Sequence, residues 1–253
     1  MVLKELQIPI HVSYISLISY RIRLANTAAA PSHRMLSSLT SADRDRIADA
    51  VSRAEDRTAG EIVPVVIAQS GTYDAAPWKA ASFAALSVLA GVLLLLQWYE
   101  GWGLGWLYTS WTVAVLTLGA GTVGALVGGF VPAAQRLLAD EETRARNVHQ
   151  RALQAFVEEE VFNTRDRTGI LLFVSLLEHR IEVIGDAGIN ARVHPDDWVD
   201  VIARIRTGIQ NDNLAQGLID AIEMCGRLLE RKGVDIRPDD DDELSNRLRT
   251  PDA

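Results

Sequence analysis

The stretch LSVLAGVLLLLQWY, residues 86–99, lies near the middle of the chain and decides how the rest is organised. No Asp, Glu, Lys or Arg occurs between Lys79 and Glu100, and none follows Glu100 until Arg136. A helix of about 20 apolar residues crosses the roughly 30 Å hydrocarbon core of a bilayer. The sequence therefore predicts a transmembrane hairpin with spans at about 80–99 and about 107–131. A buried pair of core helices is the alternative, which the length of both charge-free runs disfavours.

The residues that flank the hairpin predict its orientation. Trp and Tyr crowd the connection between the spans, and Trp78 lies at the entry, as expected for rings at headgroup depth. Lys79 precedes the first span and three arginines follow the second, whereas the connection has no Lys or Arg. The positive-inside rule then predicts a multi-pass protein of the cell membrane, with the soluble domain and both termini in the cytoplasm.

Small residues at four-residue spacing mark one face of each span. The second span carries Ala120, Gly124 and Gly128, and the first carries Ser87 and Gly91. Such residues let two helices approach closely. They could pack the hairpin on itself, which we favour, or they could form a homo-oligomer contact.

Composition excludes several classes of protein. The chain of 253 residues has a net charge of −8, which disfavours nucleic acid as a partner because phosphate recognition needs concentrated Lys and Arg. Its one cysteine, Cys225, excludes an intramolecular disulfide and a multi-cysteine metal site. The five histidines show no metal-ligand spacing. The first 34 residues make a poor signal peptide because Arg21 and Arg23 lie where a cleavage region is uncharged; Met35 could be the native start.

The soluble part reads as one α/β domain that the hairpin interrupts. Thr40 or Ser41 can cap a helix that Gly60 closes, and a buried strand follows at 62–68. One long helix at about 132–161 precedes two antiparallel strands, 169–175 and 180–184, and two further helices. This order predicts a three-layer α/β/α sandwich with a small mixed sheet, its first two strands parallel. The predicted boundaries are 1–38 for a disordered N-terminal extension, 39–77 and 133–236 for the two parts of the domain, 78–132 for the hairpin and 237–253 for a mobile acidic tail.

This topology predicts a candidate site at the end of the sheet that lies away from the hairpin. The first two strands begin there and the third ends there, which gathers Glu61, Asp166 and Asp186. Carboxylate oxygens are ligands for Ca²⁺ or another divalent cation. Arg165 and Arg167 lie near the same edge and could bind phosphate. We favour the alternative, in which Glu61, Asp166 and the two arginines are solvent-facing loop charges and Asp186 caps a turn, and we assign no cofactor.

Several segments together resemble the TPM domain family. They are GEIVPVV, then TGILLFVSLLEHRIEVIGDAGI and a Trp-containing helix, and the closing DDDDELSNRL is similar to the tail of the membrane-embedded subgroup. The resemblance extends over about Leu39–Leu248. It implies a fold in which some members are acid phosphatases, some bind calcium and some are accessory subunits of membrane receptors. Many TPM domains have an Asn-Asn-Gly-type turn before the second strand where this chain has Arg167, Thr168 and Gly169, which weakens a transfer of metal binding or hydrolysis.

Three functions follow as hypotheses. The first is a membrane-tethered interaction or accessory module, whose partners are the bilayer and other membrane proteins. The second is a metal-assisted acid phosphatase, and the third is a calcium-binding sensor domain. The sequence shows no recognisable catalytic set, so we favour the first hypothesis over an enzyme.

Overall fold

A computed structural model describes residues 32–98, 105–236 and 243–251 of the chain. The predicted N-terminal extension lies outside the described residues as far as position 31. Helix α1 (Ser32–Ser37) follows, and Met35 and Leu36 are buried in the main core. The expectation of a disordered extension to residue 38 is therefore wrong for this short helix, because its apolar residues find a place in the core.

The predicted mixed sheet is confirmed. Strands β1 (Glu61–Ile67) and β2 (Gly169–Ser175) pair in parallel, and β3 (Arg180–Gly185) pairs antiparallel with β2, in the order β1-β2-β3. Every residue of the three strands is buried. Strands with near-continuous apolar sequences are typical of a sheet that is covered on both faces.

Helices cover both faces and complete the three-layer sandwich. One core contains apolar residues of α2 (Ser41–Glu55), α8 (Val199–Gln210) and α9 (Leu214–Arg231), and the other contains those of α6 (Glu141–Glu158). The first core joins residues from before and after the hairpin, such as Ile47 and Leu218. Both parts of the chain therefore fold into one hydrophobic unit.

One helix starts at its predicted cap, and another predicted helix is divided in two. Thr40 caps α2 in a reciprocal capping box with Asp43, as its sequence predicts, although α2 ends at Glu55 and not at Gly60. The expected single helix at 132–161 is instead α5 (Pro132–Leu138) and α6. Extended backbone at Ala139 and Asp140 separates them. Two glutamates in the first turn of α6 favour this new start because the helix dipole is positive there.

The two apolar helices form a hairpin between β1 and β2. Helix α3 (Ala75–Trp98) begins earlier than predicted, and α4 (Ser110–Phe130) starts after a 3-10 turn at Gly105–Tyr108. The two helices lie against each other. Helix α7 (Ala187–Asn190) and a 3-10 turn at Pro195–Trp198 complete the described elements.

The end of the chain follows the outer edge of β1. Arg249 donates its backbone N–H to the Pro64 carbonyl and accepts a bond from the Val66 N–H at 3.0 Å. Leu248 is buried in the first core. Residues 243–251 thus differ from the predicted mobile tail, because their backbone satisfies an edge strand that would otherwise be unpaired. Residues 237–242 lie outside the described part.

Candidate functional site

The hairpin has an apolar surface that the rest of the described chain does not cover. Residues 75–95 and 110–130 are long and apolar enough to cross a membrane, and only 6% and 11% of their most apolar windows are buried. Phe83 is 75% exposed and Leu118 is 72% exposed. A core helix of a water-soluble protein buries such residues, so the hairpin is not a buried core pair.

Small residues hold the two helices of the hairpin together. A side chain at Gly124 would lie 2.6 Å from the Ala80 carbonyl oxygen, and one at Gly128 would lie 2.7 Å from the Ala76 carbonyl oxygen. The residues of α3 at this contact are thus Ala76, Ala80 and Ala84, which share four-residue spacing and were missed by the sequence analysis. A side chain at Gly91 would meet no atom within 4 Å, and Ser87 is exposed. The structure places Ala120 half-buried on α4.

The sheet end nearest the hairpin contains a buried polar cluster that the sequence analysis did not identify. It is centred on Glu178, which is 2% exposed in the turn between β2 and β3. Its carboxylate accepts hydrogen bonds from the Ser70 N–H at 3.0 Å and from the hydroxyls of Tyr73 and Ser175. Ser70 Oγ also donates to Ser175 Oγ at 2.7 Å. Burial, followed by the bond to Glu178, raises the pKa of the Tyr73 phenol, which therefore stays a donor.

The same turn contacts the root of the hairpin. Leu177 packs with Tyr73 and Ala76 in a small core to which Leu138 of α5 adds. His179 has a left-handed backbone (φ 52°) and lies 2.8 Å from Arg136 Nη1 through its Nδ1. Burial, with the nearby charges of Arg136 and Arg144, lowers the pKa of His179 from 6.5 to about 4. The imidazole is therefore neutral at pH 7, which suits a position beside two guanidinium groups.

A sequence feature could have indicated this cluster. The parallel register pairs Ile67 with Ser175, so Ser70 and the polar residues that follow β2 must meet at one end of the sheet. Glu178 then lies in a short turn after seven buried residues, where a charged side chain needs hydrogen-bond donors. The turn was instead treated only as a connection.

At the opposite end of the sheet, strand pairing brings the backbone segments of the predicted site residues together. The Glu61 N–H donates to the Thr168 carbonyl, and the Asp186 N–H donates to the Gly169 carbonyl at 2.9 Å. Gly169 also lets the segment before β2 pack closely, because a side chain there would lie 1.8 Å from the Val161 carbonyl oxygen. Glu61 and Asp186 are buried. Asp166, Arg165 and Arg167 are exposed in the loop before β2.

Two of these residues bind each other. Arg167 Nε lies 2.7 Å from Asp186 Oδ2, and Arg167 Nη2 donates to Asp186 Oδ1 at 3.1 Å. Asp186 also caps α7 by accepting from the Ala187 N–H at 2.7 Å. The predicted phosphate ligand and the predicted metal ligand thus neutralise one another's charge.

Backbone contacts occupy the other acidic group at this edge. Glu61 Oε1 accepts from the Glu243 N–H at 3.2 Å, and the Glu243 carboxylate accepts from the Arg165 N–H at 2.9 Å. Within the described ranges, no group of three or more His, Cys, Asp or Glu side chains has an arrangement that could hold a metal ion. The metal and phosphate sites stay predictions.

A protein family and a solved structure are similar to this chain. A family model described as the TPM domain matches residues 136–228, which confirms the resemblance over α6, the β2–β3 hairpin, α8 and most of α9. No curated protein matches the chain. Among solved structures, the NMR structure of the BA42 protein from the psychrophilic bacterium Bizionia argentinensis is similar to this chain. It is 20% identical, with 83% of this chain and 94% of that chain covered and a TM-score of 0.49.

Proposed function

We propose that the protein is a membrane-anchored accessory module of the membrane-embedded TPM subgroup. Its hairpin crosses the bilayer, and its α/β domain recruits or steadies other membrane proteins. The observation that carries this proposal is the apolar hairpin inserted between β1 and β2, whose large side chains are exposed. In water this exposed apolar surface would be unfavourable and would promote aggregation. In the hydrocarbon core of a bilayer the same surface has no contact with water.

The dimensions of the hairpin support a transmembrane placement. Trp98 lies 20 positions after Trp78 in one continuous helix, a distance of about 30 Å, which equals the thickness of the hydrocarbon core. Trp106 and Trp111 are exposed at the connection end of α4 and Trp78 is exposed at the base. Aromatic side chains at both ends are typical of helices that span a bilayer.

Charge supports a cytoplasmic location for the domain and both termini. Lys79 lies near the base of the hairpin, where its Nζ donates to the Leu138 carbonyl and to Asp140, each at 3.1 Å. Arg136, Arg144 and Arg146 follow on the same side. The positive-inside rule assigns this side to the cytoplasm. In this proposal residues 39–77 and 133–236 form one domain, divided by a hairpin at 78–132.

A face of α3 is available for a self-association contact. Gly124 and Gly128 pack against α3 within the chain, so they are not available to a second copy. The face of α3 with Ser87 and Gly91 has space around the glycine and could pack against another membrane protein or a second copy.

Topology mapping tests the anchoring proposal. We expect the full chain to stay in the membrane fraction after alkaline extraction, and a variant with residues 78–132 replaced by a short linker to be released. A Gly103→Cys variant in intact cells should react with a membrane-impermeant thiol reagent, whereas a cysteine added at the C-terminus should react only after lysis. Alkaline release of the full chain would refute the anchoring, and labelling of the C-terminal cysteine before lysis would reverse the orientation. Crosslinking in native membranes would then identify partner proteins.

The phosphatase and calcium-sensor hypotheses are separated from this proposal by the same linker variant. Metal-dependent hydrolysis of a phosphate ester, lost in Asp166→Ala and Asp186→Ala, would favour an enzyme. A rise in melting temperature with calcium but no hydrolysis would favour a sensor, because a ligand that binds only the folded state stabilises it. Glu178→Gln, at the other end of the sheet, is a control that should leave either response to metal in place.

A further inference from the structure

A second apolar surface lies at the base of the hairpin and extends from the ends of its two long helices onto α5. Leu137, in the short helix α5, is 84% exposed, and Phe130, the last residue of α4, is 80% exposed. Ala133, one turn before Leu137, is also exposed. Trp78 is 75% exposed on the neighbouring helix. This surface, which we name the collar, consists of Trp78, Phe130, Ala133 and Leu137.

Contacts between α3 and α4 place the collar at one level of the hairpin. A side chain at Gly128 would lie 2.9 Å from Pro77 Cα, so the end of α4 lies beside the first turn of α3. Phe130 and Trp78 therefore belong to the same end of the hairpin. Leu126 and Val127, one turn before Phe130, are also exposed, so the apolar surface of α4 reaches the collar.

Helix α5 is held in a defined direction and is not a loose linker. Val131 has an extended backbone (φ −100°, ψ 109°), and Pro132 begins α5, so the chain turns at the end of α4. Gln135 Nε2 donates to the Gly129 carbonyl at 2.7 Å, which satisfies a backbone group freed by the turn. Lys79 Nζ donates to the Leu138 carbonyl at the other end of α5.

Other residues of α5 contact the turn after β2 and the start of α3. Leu138 packs against the core of Tyr73, Ala76 and Leu177, and Arg136 lies against His179 in the turn after β2. One short helix thus has exposed apolar residues and is also held against the turn that follows β2.

We propose that α5 is an interfacial helix, which lies at the boundary between lipid headgroups and acyl chains and seats the domain on the membrane surface. This inference rests on the proposed function, because the collar meets lipid only if the hairpin is inserted. A helix with a large apolar side chain on one face and cationic groups beside it is suited to this depth, and Trp78 marks the same depth on α3. Because α5 also contacts the turn after β2, its position at the membrane interface fixes the direction of the sheet relative to the bilayer.

Site-specific fluorescence tests the depth of α5 in the full chain reconstituted into phosphatidylcholine vesicles. The native Cys225 is buried and its burial raises the pKa of the thiol, so an added cysteine can be labelled selectively. An environment-sensitive fluorophore is attached in turn to Leu137→Cys, to Leu118→Cys in α4 and to Val157→Cys in α6. Val157 is the matched control, because it is an apolar residue that is 61% exposed on the soluble domain. Lipids brominated near the headgroup or deep in the acyl chain serve as quenchers.

We expect blue-shifted emission at position 137 with a larger loss of fluorescence to the shallow quencher. The fluorophore at position 118 should lose more fluorescence to the deep quencher than to the shallow one. The fluorophore at position 157 should lose no fluorescence to either quencher. Emission at 137 like that at 157, with 118 still quenched, would overturn the interfacial helix and leave the anchor intact. Stronger quenching of 137 by the deep lipid would also overturn it, because the helix would then lie within the hydrocarbon. Loss of quenching at 118 would instead refute the anchor itself.

Discussion

Phe173 in the central strand and Phe83 in the first long apolar helix lie in segments of similar composition, GILLFVS and SFAALSV. Phe173 is fully buried between two helical layers, whereas Phe83 is 75% exposed. Helices of the protein cover the sheet with apolar side chains, whereas no part of the described chain covers the outer surface of the hairpin. An apolar sequence therefore predicts that a region leaves water, but not whether protein or lipid receives it. The α5 helix and the turn after β2 join these two regions.

The largest expected effect tests the contrast between the two phenylalanines directly. Phe173→Ala should lower the free energy of unfolding by about 3–5 kcal/mol, because it removes a buried ring and leaves a cavity. Phe83→Ala should change it by less than about 0.5 kcal/mol, since its ring has few protein contacts to lose. Urea unfolding of the full chain in detergent micelles, followed by circular dichroism, gives both values. Equal losses would show that the protein itself buries the hairpin.

A smaller effect is expected where the hairpin does pack against protein. Gly128→Leu should destabilise the pairing of α3 and α4 by about 1–3 kcal/mol, because the new side chain meets backbone atoms that cannot move aside. Gly119→Leu is the matched control, since a side chain there would meet nothing within 4 Å. Thermal unfolding in detergent compares the two variants. A stable Gly128→Leu protein beside a destabilised Gly119→Leu protein would reverse the assigned packing face.

The buried cluster between the two regions should contribute somewhat less. Glu178→Gln keeps the shape of the side chain but replaces one of the two oxygens that accept hydrogen bonds from three donors. We expect the free energy of unfolding to fall by about 1–2 kcal/mol. Hydrogen exchange at residues 70–76 should accelerate, because Glu178 fixes the chain that enters α3. Glu142→Gln, at an exposed position of α6, should alter neither. Unchanged exchange at 70–76 would mean that the cluster does not hold the hairpin root.

The smallest effect concerns pH. The pKa of His179 is about 4 in the folded state and 6.5 in the unfolded state, so the unfolded chain binds more protons between these values. The stability that neutral His179 provides is present above pH 6.5 and is lost as the pH falls towards 4. The melting temperature should therefore fall over this window by less in His179→Gln than in the natural chain. His194→Gln, at an exposed position, should keep the natural pH response, and a His179→Gln protein with the full response would contradict this assignment.

The sequence predicted the fold wherever a local rule was strong. Continuous apolar runs predicted β1 and β2, the tight connection after β2 predicted β3, and the long crossover predicted the parallel pairing of β1 with β2. Thr40 and Asp43 gave the start of α2. The break between α5 and α6 was missed, because Asp140 and two glutamates resemble any exposed helical surface until a capped start is considered.

The candidate site was only partly predictable for a different reason. Strand directions sufficed to bring Glu61 and Asp186 to one edge, but not to show that Asp186 binds Arg167. That contact depends on the left-handed backbone of Arg167 (φ 57°), which no spacing in the sequence encodes. The cluster around Glu178 depends likewise on a loop, a strand end and a turn that are up to 108 residues apart.

What the sequence alone determined is the inventory of surfaces that must leave water, because hydrophobicity and its period are properties of neighbouring residues. Tertiary structure decided which of these surfaces meet one another and which charges become paired. Long-range contacts set those outcomes: the small residues of α4 lie against Ala80 and not against Gly91, and the last residues of the chain lie along β1. Such choices depend on the shape of the whole domain, and shape is not a local quantity.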